Sequence, residues 1–146
     1  MSENDKSTNA ENYVGEIKGG LRPTMKIVIM GVISPNPESF SLTLFCDPID
    51  DHPSKDVGFF LAVSFPEKSI IRNSRIDGKW GHEEDEIPYF PFTAGESFKM
   101  ELLCEHQQIR VLLDGRQLCN FNHRVQPTQR MTTLKISGDI KLTKVV

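Results

Sequence analysis

The sequence has few of the features that mark a disulfide-rich secreted domain or a membrane protein. Its 146 residues include three cysteines, Cys46, Cys104 and Cys119, and no CxxC pair. An odd number of scattered cysteines predicts reduced thiols, which are typical of the cytosol. No run approaches the roughly 18 apolar residues of a membrane-spanning helix, and residues 1–12 lack the basic and apolar regions of a signal peptide. The sequence therefore predicts a cytosolic protein with no membrane partner.

An excess of one sign of charge is also missing. The chain has 17 Lys and Arg against 20 Asp and Glu, a net charge of −3, and the basic residues are scattered. Surfaces that bind nucleic acids need a basic patch or stripe. A nucleic-acid partner is therefore not expected.

Motifs of catalysis and metal binding are absent as well. The sequence contains no GxSxG, no HExxH and no glycine-rich phosphate loop. Its histidines and cysteines do not fall at the paired spacing of zinc ligands. The acidic run at residues 82–86 cannot alone supply the oxygens of a calcium site and is interpreted as a solvated edge. We expect a protein that is not an enzyme and has no metal or other cofactor.

Alternation of apolar and polar residues is the main pattern that is present. It is clear at residues 40–46, 57–65, 98–104 and 109–113, and each stretch is bounded by turn residues. Asp77-Gly78 and Asp114-Gly115 are favoured hairpin turns. Many short strands with frequent turns predict an all-β fold, either a sandwich or a barrel.

The first residues differ from the rest of the chain. Residues 1–13 are polar and have no aromatic residue before Tyr13. They cannot bury enough apolar surface to offset the entropy of ordering, so a disordered tail is predicted there. Residues 14–146 then form a single folded domain, which is an ordinary size for one hydrophobic core.

Five stretches, taken in order, resemble the galectin family of β-galactoside-binding lectins. They are DVGFFLAVSF, WGHEEDEIPYFPF, ESFKMELLCEHQQIRVLLDG, CNFNHR and ISGDIKLTK. The resemblance covers about Gly20 to Val145 and implies a jelly-roll sandwich of two antiparallel sheets. Within the family, GGLRP, NPESF, LLCEH and IPYFPF are most similar to the galectin-related subgroup, whose members lack lactose binding. That subgroup tends to lack the tryptophan that this chain has at Trp80.

The resemblance also implies where a sugar would bind. The matching positions are Phe60, Ala62, Ser64, Asn73, Trp80, Glu83 and Asp85. Four of them have lost the family's residue type: Phe60, Ala62 and Ser64 replace a His-x-Asn-x-Arg triplet, and Asp85 replaces an arginine that pairs with the glutamate. A sugar hydroxyl left without its partner costs about 1–3 kcal/mol, whereas millimolar binding is worth only about 4 kcal/mol. Loss of lactose binding is therefore predicted.

The three retained positions leave alternatives open. The first hypothesis is a galectin-fold protein that does not bind lactose and acts through contacts with an unidentified protein partner. The second is a divergent lectin that binds another glycan through Trp80, Asn73 and Glu83. The third is a structural sandwich with no specific ligand. A monomer is expected, and the family resemblance implies that export without a leader is open to this protein.

Overall fold

Two antiparallel sheets contain the eleven strands of the part of the chain that the structure describes, residues 10–46 and 55–146 of a computed structural model. The strands are β1 (Glu11–Glu16), β2 (Lys26–Ile33), β3 (Ser39–Phe45), β4 (Val57–Ser64), β5 (Ser69–Ile76), β6 (Lys79–Trp80), β7 (Ser97–Cys104), β8 (Gln108–Leu113), β9 (Arg116–Asn122), β10 (Thr133–Gly138) and β11 (Ile140–Val145). A short 3-10 helix, Thr128–Arg130, precedes β10.

The strand order defines the two layers. One sheet has six strands in the order β1-β10-β3-β4-β5-β6, and the other has five in the order β11-β2-β7-β8-β9. β10 and β11 are consecutive in the chain but lie in different sheets. The chain passes between the sheets at Gly138, where φ is +126° and a Cβ atom would collide with the backbone of Phe40 on β3, so glycine is needed there. The predicted all-β sandwich of two antiparallel sheets is confirmed.

The hydrophobic core lies between the sheets and follows from the period of two residues in each strand. On β4, Phe59, Leu61 and Val63 are buried, whereas the alternate residues are partly exposed on the outer face. Phe59 meets Phe121 of β9, in the opposite sheet, with ring centroids 5.1 Å apart. The side chains that alternate with the core residues therefore form the outer face of the six-stranded sheet.

Both predicted hairpin turns are confirmed. Asp77 and Gly78 have φ values of 54° and 77°, and Asp114 and Gly115 have φ values of 51° and 85°. Two successive left-handed residues match the right-handed twist of the flanking strands, and aspartate followed by glycine tolerates that conformation well. The first turn joins β5 to β6 and thereby places Trp80 beside β5.

The boundary predicted for the disordered tail is wrong at its C-terminal end. β1 begins at Glu11, so residues 11–13 belong to an edge strand, in which Tyr13 pairs with Ile136 of β10. β1 alternates partly buried and exposed residues and is held by backbone hydrogen bonds to β10, which do not require apolar side chains. Residues 1–9, the remainder of the predicted tail apart from Ala10, lie outside the described residues.

The three cysteines are all buried, and none of them forms a disulfide. Burial raises the pKa of Cys104 above its usual value and raises the pKa of Cys119 to about 11. In the part of the chain that the structure describes, no helix has the length and apolar character needed to cross a membrane.

Candidate functional site

The seven predicted site positions lie at one end of the six-stranded sheet and in the loop beyond it. Phe60, Ala62 and Ser64 are on β4, Asn73 is on β5, Trp80 is on β6, and Glu83 and Asp85 follow β6. Because β4, β5 and β6 are neighbours in the sheet, the structure brings the first five together. In particular, Phe60 and Asn73 are directly paired across β4 and β5.

Phe60 and Trp80 form an aromatic pair on the outer face. Their ring centroids are 5.1 Å apart with the planes inclined at 55°, within the range of favourable aromatic contacts. Trp80 remains 48% exposed, and the guanidinium carbon of Arg75 lies 5.4 Å from the centre of its ring. Phe60 therefore contributes an apolar ring against Trp80 at the position where the family resemblance implies a polar histidine.

The other two predicted positions on β4, Ala62 and Ser64, have few hydrogen-bonding groups. Ala62 has no side-chain hydrogen-bonding group, and Ser64 accepts a long hydrogen bond, 3.4 Å, from the backbone N–H of Glu67. A serine hydroxyl is several bonds shorter than an arginine and cannot form a two-pronged contact. The three predicted positions on β4 therefore present one side-chain hydroxyl group beside two apolar side chains.

Asn73 is buried, with 7% of its surface exposed, and its amide is largely occupied within the protein. Its Oδ1 accepts hydrogen bonds from the backbone N–H of Ser74 at 2.7 Å and from Arg124 at 2.9 Å. Its Nδ2 donates to the carbonyl of Gly81 at 3.0 Å. An asparagine amide has two acceptor and two donor positions, so one N–H remains for any ligand.

Arg124, which follows β9, is a residue of this site that the sequence reasoning did not identify. Besides Asn73, it donates to the carbonyl of His82 at 2.7 Å and forms an ion pair with Glu84 at 3.0 Å. It thus ties the loop after β6 to the end of β5. The stretch CNFNHR carries this arginine, but its partners are 40 to 51 residues away in the chain, so local spacing offered no signal for its role.

The acidic run after Trp80 is divided between the surface and this network. Glu83 and Asp85 are exposed and form no ion pair among the described residues, whereas Glu84 pairs with Arg124. The backbone of Glu84 also exchanges two hydrogen bonds, of 2.8 and 2.9 Å, with Arg72 of β5. Arg124, from a distant segment, therefore pairs with Glu84. The family resemblance instead implies an arginine within the run that pairs with Glu83, and this chain has Asp85 at that position.

A groove continues from the aromatic pair across the middle of the sheet. Its volume is about 200 Å³, and it extends from Trp80 and Arg75 over β4 and β3 to β10. Hydroxyl groups of Ser41, Thr43 and Ser137 line the far half, together with Lys135. The outer face therefore has two parts: an aromatic end at β6 and a groove with polar side chains beside it.

No group of three or more His, Cys, Asp or Glu side chains within residues 10–46 and 55–146 is arranged to hold a metal ion. Cys104 lies 4.0 Å from the Nε2 atom of His123, but that nitrogen also lies 2.9 Å from the carbonyl oxygen of Glu105. Because burial raises its pKa, the Cys104 thiol is largely protonated near neutral pH and is poorly suited to act as a nucleophile.

Comparison with known proteins agrees with this architecture. Residues 12–146 match the sequence model of the family described as galactoside-binding lectin. The chain is 34% identical over 133 residues to galectin-4 of Rattus norvegicus, an alignment that covers 91% of this chain and 39% of that protein. It therefore spans about two fifths of the length of that relative. Its fold is similar to a solved structure of sheep galectin-11 in complex with glycerol, with a TM-score of 0.81, 21% identity, and coverage of 93% of this chain and 96% of that one.

Proposed function

Because the chain belongs to the galectin family of galactoside-binding lectins, we propose that it is a galectin-fold protein that does not bind lactose and that acts through contacts with a partner protein. We also place it with the galectin-related subgroup, which the changed positions on β4 support. The retained Trp80 is the feature that departs from that subgroup.

The observation that carries the proposal is the contact between Phe60 and Trp80, 5.1 Å between centroids. A sugar that stacks on Trp80 would meet an aromatic ring where its hydroxyl groups need a hydrogen-bonding partner. Each such unmet hydroxyl costs about 1–3 kcal/mol. Ala62 offers no replacement, and Asn73 has most of its amide engaged by Arg124, Gly81 and Ser74. The total cost removes the roughly 4 kcal/mol that millimolar affinity requires.

Exposed aromatic surface supports a protein partner. Trp80 is 48% exposed. Together with the ring of Phe60 it forms an aromatic area at the edge of the sheet. Aromatic residues are enriched in the centres of protein interfaces, where they bury large areas at a low cost in conformational entropy.

Lactose titration with Trp80 fluorescence as the readout tests the first part of the proposal. Trp80 is the sole tryptophan, so its emission reports directly on the place where a sugar would stack. We expect no saturable change up to roughly tens of millimolar lactose, with maltose as the control for viscosity and refractive effects. A saturable change at or below about a millimolar would overturn the proposal.

A second function is favoured by the groove beside Trp80, which is large enough to hold a charged or polar group. In this alternative the chain is a divergent lectin for a glycan other than a β-galactoside, bound through Trp80, Asn73 and Glu83. A glycan array probed with the unmodified protein and with Trp80→Ala separates the two. A glycan that binds the unmodified protein but not Trp80→Ala would support the lectin function and contradict the protein-contact proposal.

We further propose that the protein is a cytosolic monomer without enzymatic activity. The absence of a disulfide among the three buried cysteines suits a reducing compartment, and the family itself, whose members are lectins, supports the lack of enzymatic activity. Light scattering at several concentrations tests the oligomeric state: a mass near 16.6 kDa is expected, and a mass of twice that value would contradict the monomer.

A further inference from the structure

We propose that Asp77-Gly78 is a site of spontaneous isoaspartate formation, that this change releases Trp80 from Phe60, and that the changed chain is a substrate for a methyltransferase that acts on isoaspartyl residues. The turn lies between β5 and β6, and neither of its two residues is among the seven positions implied by the family resemblance. The proposal concerns the covalent state of this turn and does not depend on the protein contact proposed above.

The reaction needs only these two residues and water. The backbone nitrogen of Gly78 attacks the side-chain carboxyl carbon of Asp77; the protonated carboxyl loses its OH group and the nitrogen its hydrogen, which leave together as water. The product is a five-membered succinimide. Water that opens the ring at the α-carbonyl leaves the chain linked through the side-chain carbon, which is isoaspartate. Glycine favours the attack because it places no Cβ atom beside the nitrogen.

The sequence contains two sites of this kind, since glycine follows aspartate or asparagine only at residues 77–78 and 114–115. Both aspartates are exposed and have similar left-handed backbone conformations, with φ values of 54° and 51°. Residue type and local conformation therefore do not distinguish the two turns. The contacts that hold each turn do.

Asp114 is held by a third strand. Its carboxylate accepts a hydrogen bond of 3.0 Å from the backbone N–H of Lys99 on β7, and its own N–H donates to the carbonyl of Lys99 at 2.8 Å. The carboxyl group must turn toward the nitrogen of Gly115 before it can react, which breaks the first of these bonds. The N–H of Asp77 donates to Asp56 at 3.0 Å, but the carboxylate of Asp77 accepts no hydrogen bond from the described part of the chain.

The two hairpins also differ in length. β8 and β9 are paired at six positions, and β8 lies between two other strands. β5 and β6 are paired at only two positions, and β6 is an edge strand. The chain is anchored again just beyond β6, where the N–H of Gly81 donates to the carbonyl of Ser74 at 3.0 Å. Residues 77–80 can therefore open as a short unit while the rest of the sheet stays folded.

Isoaspartate at residue 77 alters the turn that positions Trp80. It adds one carbon atom to the main chain between Asp77 and Gly78, and the turn of a two-residue hairpin sets the register of its strands. Trp80 pairs with Arg75 directly after this turn. The register that places its ring 5.1 Å from that of Phe60 is therefore lost.

The product is accessible to an enzyme because residues 77–79 are exposed. Isoaspartate carries its α-carboxylate as a branch on the main chain. An isoaspartyl methyltransferase transfers the methyl group of S-adenosylmethionine to this carboxylate and releases S-adenosylhomocysteine. The nitrogen of Gly78 then attacks the ester carbonyl and methanol leaves, which forms the succinimide again. Hydrolysis of this succinimide returns part of the chain to aspartate.

Ageing of the full chain tests the site. The protein is kept at body temperature and mildly acidic pH for several weeks. Isoaspartate is then located by mass spectrometry of proteolytic peptides, with fragmentation that distinguishes the two isomers. We expect at least about fivefold more isoaspartate at residue 77 than at residue 114, because the turn at 77 opens more easily. A smaller ratio, or no isoaspartate at residue 77, would overturn the proposal.

Two variants check the chemistry, with circular dichroism of each before ageing as the test of folding. Asp77→Asn forms the same succinimide with loss of ammonia and should give isoaspartate at least about tenfold faster; Asp56→Ala removes the acceptor of the Asp77 N–H and should raise isoaspartate at residue 77 at least about twofold, with residue 114 unchanged. If folded Asp77→Asn forms isoaspartate no faster than the unmodified protein, the side chain of residue 77 is not the reacting group.

The consequences for Trp80 and for the methyltransferase have their own readouts. Ion-exchange chromatography separates the isomerised chain, and its Trp80 emission should be red-shifted relative to the unmodified chain. A recombinant isoaspartyl methyltransferase with labelled S-adenosylmethionine should label the aged protein at least about fivefold more than fresh protein or aged Asp77→Glu, which would have to close a six-membered ring. Unchanged Trp80 emission, or equal labelling of the aged protein and aged Asp77→Glu, would contradict the proposal.

Discussion

Arg124 donates a hydrogen bond of 2.9 Å to the Oδ1 atom of Asn73, a residue 51 positions earlier in the chain. The same guanidinium reaches the carbonyl of His82 at 2.7 Å and the carboxylate of Glu84 at 3.0 Å. One planar side chain therefore joins β5, the loop after β6 and the end of β9. The loop that follows Trp80 is fixed by this arginine, and Trp80 itself is held by the short β5–β6 pairing.

Replacement of Arg124 should loosen this end of the sheet. We expect Arg124→Ala to lower the free energy of unfolding by about 2 kcal/mol, because it removes several charge-assisted hydrogen bonds and deprives the buried Oδ1 of Asn73 of one donor. Trp80 emission should broaden or shift as the loop becomes less restrained. Urea unfolding followed by fluorescence and circular dichroism measures both effects.

Arg124→Lys and Lys144→Ala are the matched controls for that experiment. The lysine keeps the charge but lacks the planar fork, so it should recover only part of the loss, and Lys144 is exposed on β11. If Arg124→Ala has the same stability as Lys144→Ala, the arginine does not hold the site together.

Phe60→Ala should expose Trp80 further. The change removes the ring that lies 5.1 Å from the indole, so we expect a red shift of Trp80 emission and a loss of about 1 kcal/mol in the free energy of unfolding. Acrylamide should quench the Trp80 emission of Phe60→Ala more efficiently than that of the unmodified protein. Val14→Ala, at an exposed site on β1, serves as the control; an unchanged Trp80 spectrum in Phe60→Ala would mean that the two rings are not in contact in solution.

Most strands and both aspartate–glycine hairpins could be predicted from the sequence because their signals are local. A strand that buries one face alternates residue by residue, as β4 does around Leu61, and a tight hairpin needs residues that tolerate positive φ, as Asp114 and Gly115 do. β1 gave no such signal. Its polar residues are those of an edge strand, and its pairing with β10 depends on backbone groups that every sequence has.

The candidate site was predicted less completely for the same physical reason. The position of Trp80 beside Phe60 could be anticipated from the resemblance to a known family, since it depends on the hairpin at Asp77-Gly78. The involvement of Asn73 with Arg124 could not, because a hydrogen bond across 51 residues is set by how the sheets pack. Likewise, Arg75 and Lys135 line the same groove only because β10 lies between β1 and β3 in the sheet.

Asp56 should make the stability of the protein depend on pH. Its carboxylate accepts the backbone N–H of Asp77 at 3.0 Å and pairs with Arg130 at 2.9 Å; the first of these contributes most to holding its pKa below the usual 3.8, against the opposing effect of burial. A lowered folded-state pKa means that the stabilisation is present above the usual carboxyl range and is lost as the pH falls through the folded value.

The difference in unfolding free energy between the unmodified protein and Asp56→Asn tests that dependence. We expect about 1 kcal/mol near pH 6, shrinking as the pH is lowered toward about 3. Asp85→Asn, at an exposed position, should show little difference at either pH. If the difference in unfolding free energy between Asp56→Asn and the unmodified protein stays constant over this pH range, Asp56 is not the source of the pH dependence.

The cysteines should resist thiol reagents while the protein is folded. All three are buried, and burial raises the pKa of Cys119 to about 11, so at pH 8 the reactive thiolate of Cys119 is about one part in a thousand. We expect Ellman's reagent to modify the folded protein at least a hundredfold more slowly than the protein in guanidinium chloride, where three thiols should react. Lys144→Cys provides an exposed thiol on β11 as the positive control. Rapid modification of any native cysteine in the folded protein would mean that local opening exposes the core on the timescale of the assay.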